Sequence, residues 1–316
     1  MNRYILVLLT LIVASYLYLK LAIKFKIIDK PNERSSHTKI TVRGGGIVFP
    51  IAMLLFFFLN DYQYPYFLGG VIAISIVSFL DDIYSLSAKI RFPLQLIAVY
   101  LILYEVGLPF DPMYMFVLYL MTGIGMVNTF NFMDGINGLT GFYSVAVISG
   151  LYLINMNEQI INSELLIYVF ISLVVFGFYN FRKKALFFAG DIGSISIGML
   201  MFFIGFYLTY QLNSPLILLL IIVYGADAGN TLLYRKFFTK EHVLDPHRHH
   251  IYQKLVDIRK MSHLKVSVIY AGIQLFINMI IYKTYQLELQ IQFLVLAILV
   301  SVFIVLYIYL FKKLKV

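Results

Sequence analysis

The sequence predicts an all-α integral membrane protein whose helices cross the bilayer many times. Of its 316 residues, 61% are hydrophobic and only 13% are charged, and the mean hydropathy is +0.85. Apolar runs recur along the whole chain, and lysines and arginines gather between them. A water-soluble domain of this length would aggregate with such a composition, so the bilayer must be the solvent.

Eleven apolar runs are candidate transmembrane helices. The first, Tyr4 to Ile23, has about the length that a bilayer requires and exceeds the core of a signal peptide. Several others are shorter than the roughly 20 residues of a perpendicular helix, and the run at 93–104 is the weakest, so ten spans are the alternative. The runs lie at 4–23, 45–59, 66–80, 93–104, 113–127, 140–154, 164–179, 192–211, 216–233, 264–281 and 290–310.

The positive charges orient these spans. If the N-terminus lies outside, 23 of the 25 lysines and arginines fall on the cytoplasmic side, and only Arg3 and Lys283 do not. We therefore predict an external N-terminus, a cytoplasmic C-terminus and a single membrane domain over 1–316. Topology and contact with anionic lipid explain the net charge of +9 better than nucleic-acid binding does. The cytoplasmic loops are predicted near 24–44, 81–92, 128–139, 180–191 and 234–263.

Four aspartates stand at predicted cytoplasmic ends of spans. Asp81 and Asp82 close the third span, Asp134 follows the fifth, and Asp191 opens the eighth. Ionisable groups at membrane depth are costly, so they usually face the bundle interior or water and mark functional sites. For any one of them, a helix cap or an interfacial anchor is an equal alternative, above all for Asp191. For the adjacent pair this alternative is weaker, because neighbouring carboxylates repel without a cation or a shared proton.

The residue types at these ends favour a hard metal ion and a phosphorylated substrate. Cysteine is absent, which excludes disulfides and thiolate ligands. Carboxylate oxygens suit Mg²⁺ or Mn²⁺, and Mg²⁺ typically uses one or two carboxylates together with substrate phosphates. Lys89 lies seven residues after Asp82 and would meet a phosphate if the helix continued; an ordinary snorkelling lysine is an equal alternative.

Asparagines and histidines add polar groups to the same predicted side. Asn128, Asn131 and Asn137 flank Asp134 beside two glycines, where they would either present amides to a ligand or cap the helix. The segment DPHRHHIYQKL concentrates three of the six histidines. Adjacent histidines do not give a standard zinc spacing, so phosphate anchoring is favoured over zinc, with a solvated loop as the alternative. Its polar members are His247, Arg248, His249 and His250.

A glycine run, Gly44 to Gly46, follows Arg43 at the start of the second span. The run is only weak evidence for a phosphate cradle, because it matches neither the P-loop nor the dinucleotide fingerprint. A close helix contact explains the run equally well.

Six motifs together resemble the polyprenyl-phosphate N-acetylhexosamine-1-phosphate transferases, the family of WecA and MraY. They occur in the family's order over most of the chain, and their form is closer to the WecA-like, O-antigen-initiating branch. They are DKPNERSSHTKITVRGGG, SFLDDIYSLSAKIRFPLQL, NTFNFMDGINGL, FAGDIGSISIG, YGADAGNTLLYR and HRHHIYQKL.

The resemblance implies transfer of a sugar-1-phosphate from a UDP-N-acetylhexosamine to undecaprenyl phosphate, with release of UMP. The magnesium site would lie on the cytoplasmic face of the bacterial inner membrane, and the product would begin a surface polysaccharide such as lipopolysaccharide O-antigen. A homodimer is left open.

Carried over residue by residue, the resemblance makes Asp191 the magnesium ligand and Asp134, with Asn131, the second acidic motif. Asp81 and Asp82 match the family's aspartate pair, one of which is proposed to act on the lipid phosphate. By the same resemblance, Lys89 is the basic residue after the pair, and the three histidines bind donor phosphate.

Two positions depart from the family pattern. Asn180 lies farther from Asp191 than the family's asparagine, and Ser85 stands where a third acidic residue is frequent. Two other classes remain as alternatives. An intramembrane prenyltransferase also binds diphosphate through aspartates, but DDIYS lacks the downstream aspartate. A secondary transporter would place its acids near the middle of broken helices.

Overall fold

The computed structural model describes residues 3–29, 40–239 and 247–314. Residues 30–39 and 240–246, which belong to two predicted cytoplasmic loops, lie outside the described residues. The helices are α1 (Arg3–Lys24), α2 (Val48–Leu59), α3 (Pro65–Tyr84), α4 (Ala88–Val106), α5 (Met113–Phe132), α6 (Leu139–Glu158), α7 (Ser163–Asn180), α8 (Gly190–Leu212), α9 (Ile222–Phe238), α10 (Ile251–Asp257), α11 (His263–Thr284) and α12 (Leu289–Lys313). Short 3₁₀ helices at Gly45–Ile47 and Pro215–Ile221 precede α2 and α9, and β1 (Ile28–Asp29) pairs antiparallel with β2 (Thr41–Val42).

Every predicted apolar run coincides with a helix. Within the described ranges, nine helices are long and apolar enough to cross a bilayer, if α9 is joined to the 3₁₀ turn before it. Gly45–Leu59 is a shorter apolar helix. The one remaining predicted run, 93–104, lies in α4, which carries the charged residues Lys89, Arg91 and Glu105. The prediction of a polytopic helical bundle is therefore confirmed, and the protein is a multi-pass membrane protein.

The helix ends that the charge pattern assigns to one side lie together. At this end, the terminus of α3 meets the start of α8 through Asp82. At the opposite end, Tyr4 at the start of α1 donates to Glu164 in α7, and Tyr285 after α11 donates to Glu158 in α6. The helices therefore alternate in direction as predicted. Which end faces the cytoplasm stays a prediction.

Helix α8 is the centre of the bundle. In its most apolar stretch, 89% of the residues are buried, whereas only 11% are buried in the corresponding stretch of α12. Helices α3 and α5 pack along α8. Because α8 is enclosed, the position of its first turn, which carries Asp191, is fixed by several neighbours at once.

The ninth span is broken where the 3₁₀ turn passes into α9. Gln274 of α11 supplies the hydrogen bonds that the break requires: its side-chain amide donates to Leu219 O at 3.1 Å, and its carbonyl accepts from Val223 N at 3.2 Å. Irregular backbone at membrane depth is tolerated only where other protein groups satisfy it. Gln274 thus stabilises the bend that shapes one wall of a groove described below.

The glycine run lies against the segment that leads into α8. Gly45 N donates to Phe188 O at 2.8 Å, and Gly46 N donates to Ala189 O at 2.9 Å. A Cβ on Gly46 would stand 2.3 Å from the Cα of Gly193. Close backbone contact, the alternative to a phosphate cradle, therefore explains these glycines.

We expect Gly46→Ala to lower stability by about 1–3 kcal/mol, because the added methyl group would force two backbones apart. Thermal melting of the purified protein in detergent, followed by circular dichroism, measures the change. Gly69→Ala is the matched control, since nothing lies within 4 Å of a Cβ at that position. Equal melting temperatures for the two variants would contradict the close contact.

Candidate functional site

Three of the predicted aspartates converge with two arginines at the start of α8. Arg43 binds Asp82 Oδ1 through Nε at 2.6 Å and Asp191 Oδ1 through Nη2 at 2.9 Å. Arg91 Nη1 lies 2.5 Å from Asp81 Oδ2 and 3.4 Å from Asp191 Oδ2. These five residues, which we call the arginine–aspartate cluster, come from three segments that are distant in sequence.

Asp82 caps α8. Its side chain is 0% exposed and accepts from the backbone N–H groups of Asp191 at 2.9 Å and Ile192 at 3.2 Å. A carboxylate at this position satisfies free amides of the first turn and interacts favourably with the helix dipole. The capping role that the sequence suggested for Asp191 therefore belongs to Asp82, and Asp191 keeps its own carboxylate for other partners.

Asp81 has a different environment, and the chain that follows it turns sharply. Its Oδ1 accepts from Leu86 N at 2.5 Å. Helix α3 ends just before Ser85, which has a left-handed φ of 52°, so the helix does not continue to Lys89. The spacing argument for Lys89 therefore does not apply. Lys89 is exposed in the first turn of α4, and Arg91 reaches the aspartates instead.

Asp134 lies in the loop between α5 and α6, beside the cluster. Thr140 Oγ1 donates to its Oδ1 at 2.6 Å. Burial raises the pKa of Asp134 to about 7; the hydrogen bond from Thr140 opposes this rise, and the charges of Asp191 and Asp82 add to it. Asp134 is therefore close enough to the cluster for the charges of Asp191 and Asp82 to raise its pKa.

The three predicted asparagines have separate roles. Asn131 lies near the end of α5 and donates to Ser194 Oγ at 3.1 Å, one turn beyond Asp191. Asn128, also on α5, donates to a carbonyl of its own helix. Asn137 donates to Arg182 O at 2.9 Å and so ties the α5–α6 loop to the α7–α8 loop. Of the three, Asn131 is the one beside the cluster.

Asn180 ties the same two loops together. This is a structural role for the residue whose distance from Asp191 departs from the family pattern. Its Oδ1 accepts from Gly138 N at 2.7 Å, and its Nδ2 donates to Phe187 O at 2.9 Å. Both bonds are buried. The Asp134 loop and the segment leading to Asp191 are thus held in a fixed relation.

The histidine segment forms a compact group before α10. The ring of His247 lies 4.9 Å from that of His250 and 5.8 Å from that of His249. Arg248 makes a two-pronged pair with Asp257, with N–O distances of 2.8–3.0 Å. His250 is buried, so it is more enclosed than phosphate anchoring from solvent would suggest.

Helix α10 places this segment beside the Asp134 loop. Tyr252 Oη donates to Phe132 O at 3.1 Å. A Cβ on Gly135 would lie 2.1 Å from the same Tyr252 oxygen, so only glycine permits this contact. The structure therefore brings together the two polar segments that the sequence placed on one membrane side.

A divalent cation fits this site by charge. Among the described residues, no group of three or more histidine, aspartate or glutamate side chains is arranged for a metal. Magnesium needs only one or two carboxylates. In the cluster, three carboxylates face two guanidinium groups, and Asp134 adds a fourth acidic group nearby. Although burial lowers the pKa of Arg43, Asp191 and Asp82 raise it overall, so Arg43 stays charged.

Sequence reasoning missed both arginines of the cluster. Arg43 was counted only as a positive-inside charge before the glycine run, and Arg91 stands two residues after the favoured Lys89. A basic residue directly before a glycine run that must pack closely was the available signal for Arg43. No spacing rule favours Arg91 over Lys89 without knowledge of the turn at Ser85.

A family model described as glycosyl transferase family 4 matches residues 64–209, a range that contains all four predicted aspartates. Over these residues, which run from α3 into α8, the chain is similar to that family. The predicted resemblance to polyprenyl-phosphate sugar-1-phosphate transferases is thereby confirmed at the level of the family.

Relatives of this chain carry names that agree with the resemblance. A Bacillus subtilis protein named probable undecaprenyl-phosphate N-acetylglucosaminyl 1-phosphate transferase is 27% identical over 290 residues, covering 84% of this chain and 80% of the relative. The Yersinia pestis undecaprenyl-phosphate alpha-N-acetylglucosaminyl 1-phosphate transferase is 27% identical, covering 75% and 71%. A Streptococcus suis phospho-N-acetylmuramoyl-pentapeptide-transferase is 27% identical, covering 61% and 66%.

Proposed function

We propose that this protein transfers N-acetylhexosamine-1-phosphate from a UDP-sugar to undecaprenyl phosphate and releases UMP. The observation that carries the proposal is the arginine–aspartate cluster, in which acidic and basic groups from distant segments meet at one end of a membrane bundle. The names of the relatives supply the substrate class. The product would begin a bacterial surface polysaccharide, with O-antigen as the predicted pathway.

We further propose that the reaction takes place at the cytoplasmic face of the inner membrane, where nucleotide sugars are made. The cluster lies at the end of the bundle where 23 of the 25 basic residues are predicted. The positive-inside rule assigns that end to the cytoplasm.

Asp191, with Asp134, is the proposed ligand set for Mg²⁺, and Mn²⁺ has similar ligand preferences. When bound, the ion would neutralise charge on the diphosphate and on the departing UMP. Asp82 contributes indirectly, because its hydrogen bonds to the α8 backbone fix where the carboxylate of Asp191 points.

Apart from binding the metal ion, the protein must align two anions, the lipid phosphate and the diphosphate of the UDP-sugar. An oxygen of the lipid phosphate attacks the sugar-bearing phosphorus, a new phosphoanhydride forms, and the phosphoanhydride to UMP breaks. Arg43 and Arg91 are both partly exposed, and their planar donor groups suit phosphate oxygens. A phosphate monoester is largely ionised near pH 7, so the reaction does not require Asp81 to act as a base.

An apolar groove provides a path for the acceptor's hydrocarbon tail. It has a volume of about 380 Å³ and lies between α5, the broken ninth span and α12. Its walls include Met126, Leu218, Ile222, Leu233 and Phe303. Gly225 and Gly229 on α9 also line it, on the same helix that binds the histidine segment through Asp227. A prenyl chain in this groove would remain in the bilayer while its phosphate approaches the cluster.

The test is a transfer assay with protein purified into lipid nanodiscs. With undecaprenyl phosphate and a panel of UDP-N-acetylhexosamines, we expect UMP release together with a lipid product of mass equal to acceptor plus sugar phosphate. Chelation should abolish both, and added Mg²⁺ should restore them. Diphosphate release would indicate a prenyltransferase. Transport of substrate without any UMP release, under conditions where the protein is folded, would indicate a transporter.

A further inference from the structure

Asp227 is a fully buried carboxylate outside the arginine–aspartate cluster. It lies in the second turn of α9, and its side chain is 0% exposed. Burying an ionised carboxylate is costly unless several donors satisfy it. The sequence motif YGADAGNTLLYR contains this residue, but neither the proposed metal site nor the acceptor groove uses its carboxylate.

One donor to Asp227 lies on its own helix, Thr231 Oγ1 at 3.3 Å from Oδ1, and the others come from two other parts of the chain. Tyr270 Oη of α11 donates to Oδ2 at 2.5 Å. At the start of α10, Ile251 N donates to Oδ1 at 3.0 Å and Tyr252 N to Oδ2 at 3.3 Å. The Nδ1 atom of His250 lies 3.3 Å from Oδ1. One carboxylate thus joins α9, α11 and the histidine segment.

These contacts fix the position of the start of α10 and the orientation of the His250 ring. An ionised carboxylate only accepts hydrogen bonds, so the proton of His250 resides on Nδ1 when that bond forms. The Nε2 atom is then the ring nitrogen left for another partner. The backbone contacts cap the first turn of α10, so the residues immediately before it inherit a defined position.

The other side of α10 contacts the Asp134 loop. Tyr252, whose backbone N–H binds Asp227, donates its hydroxyl to Phe132 O. The contact with Gly135 brings the same ring to within one residue of Asp134. Asp227 therefore determines how the histidine segment sits relative to the proposed metal site.

We propose that Asp227 is the positioning residue of the donor site: it holds residues 247–250 against the Asp134 loop so that the half-buried side chains of residues 247–249 meet the diphosphate of the UDP-sugar. This inference rests on the proposed function. It assigns to Asp227 no contact with substrate, and it assigns to Tyr270 the task of holding the carboxylate in place.

Two variants test the inference against a matched control. Tyr270→Phe removes one hydroxyl donor to Asp227, and Asp227→Asn keeps the shape but removes the charge. Tyr143→Phe removes a comparably buried hydroxyl that does not contact Asp227; it donates to Gln274 Oε1 and accepts from Tyr224 N. For Tyr270→Phe we expect the donor KM to rise about tenfold, as for loss of one charge-assisted hydrogen bond. The acceptor KM should stay within about twofold, and Asp227→Asn should act in the same direction more strongly.

Hydrogen–deuterium exchange provides a readout that does not depend on turnover. Amides of 250–254 should exchange faster in Tyr270→Phe than in Tyr143→Phe, because the cap of α10 is weakened. If exchange and donor KM match in these two variants, the positioning role is wrong. If the unmodified protein releases no UMP, the proposed function fails, and the exchange comparison still decides whether Asp227 orders the segment.

Discussion

Asp191→Asn is expected to reduce sugar-phosphate transfer by about 1,000-fold or more. The amide has nearly the same shape, but it lacks the charge that pairs with Arg43 and Arg91 and that would hold the metal ion. Even an outer-sphere partner of a metal ligand typically costs about 10–100-fold when removed, so a direct ligand should cost more. UMP release in nanodiscs at saturating Mg²⁺ measures the loss.

The variant should remain folded, which separates chemistry from stability. Asp82 caps α8 through backbone groups of residues 191 and 192, and the substitution does not change those groups. Asp61→Asn is the matched control, because it removes an exposed carboxylate in the loop after α2. Full magnesium-dependent transfer by Asp191→Asn would show that the metal assignment is wrong.

The helices, and the gathering of the aspartates at one end of the bundle, were predictable because the bilayer imposes simple requirements. A span must be long and apolar, and basic residues accumulate at alternate ends. These rules located a helix in each of the eleven apolar runs and placed Asp81, Asp82, Asp134 and Asp191 at the same end. They predicted convergence without any knowledge of how the helices pack.

The same rules did not predict that Asp82, and not Asp191, caps α8. Asp82 acts as a cap only because the first turn of α8 approaches the end of α3, and a Cβ on Gly190 would lie 2.5 Å from Asp82 Oδ2, so the approach requires glycine there. No local pattern in the sequence contains that distance. The pattern therefore identified the pair, but it offered the capping role, as an alternative, for Asp191.

Asp227 shows a signal that was present but not used. An acidic residue within a predicted span is a functional candidate by default, because the membrane penalises an unsatisfied charge. The identity of its partners could not be read from the chain, since Tyr270 and His250 lie 43 and 23 residues away in sequence.

Arg91→Gln is expected to lower kcat/KM for the donor by about 100-fold, equivalent to about 2.7 kcal/mol of transition-state stabilisation. The reason is that Arg91 is the half-exposed cation that bridges Asp81 and Asp191, where a diphosphate beside the metal would need a donor. Initial-rate kinetics with varied UDP-sugar at saturating acceptor provide the measurement.

Lys89→Gln is the comparison that decides between the two basic residues of SAKIRF. The substitution removes a positive charge from an exposed side chain that lies two positions before Arg91 in the same helical turn. The long-range electrostatic effects of the two substitutions are therefore matched. We expect less than about a threefold change, in the range of surface substitutions. A large loss in Lys89→Gln with a small one in Arg91→Gln would restore the role that the resemblance implies for Lys89. It would also mean that α4 moves when the donor binds, because the turn at Ser85 otherwise keeps Lys89 away from the aspartates.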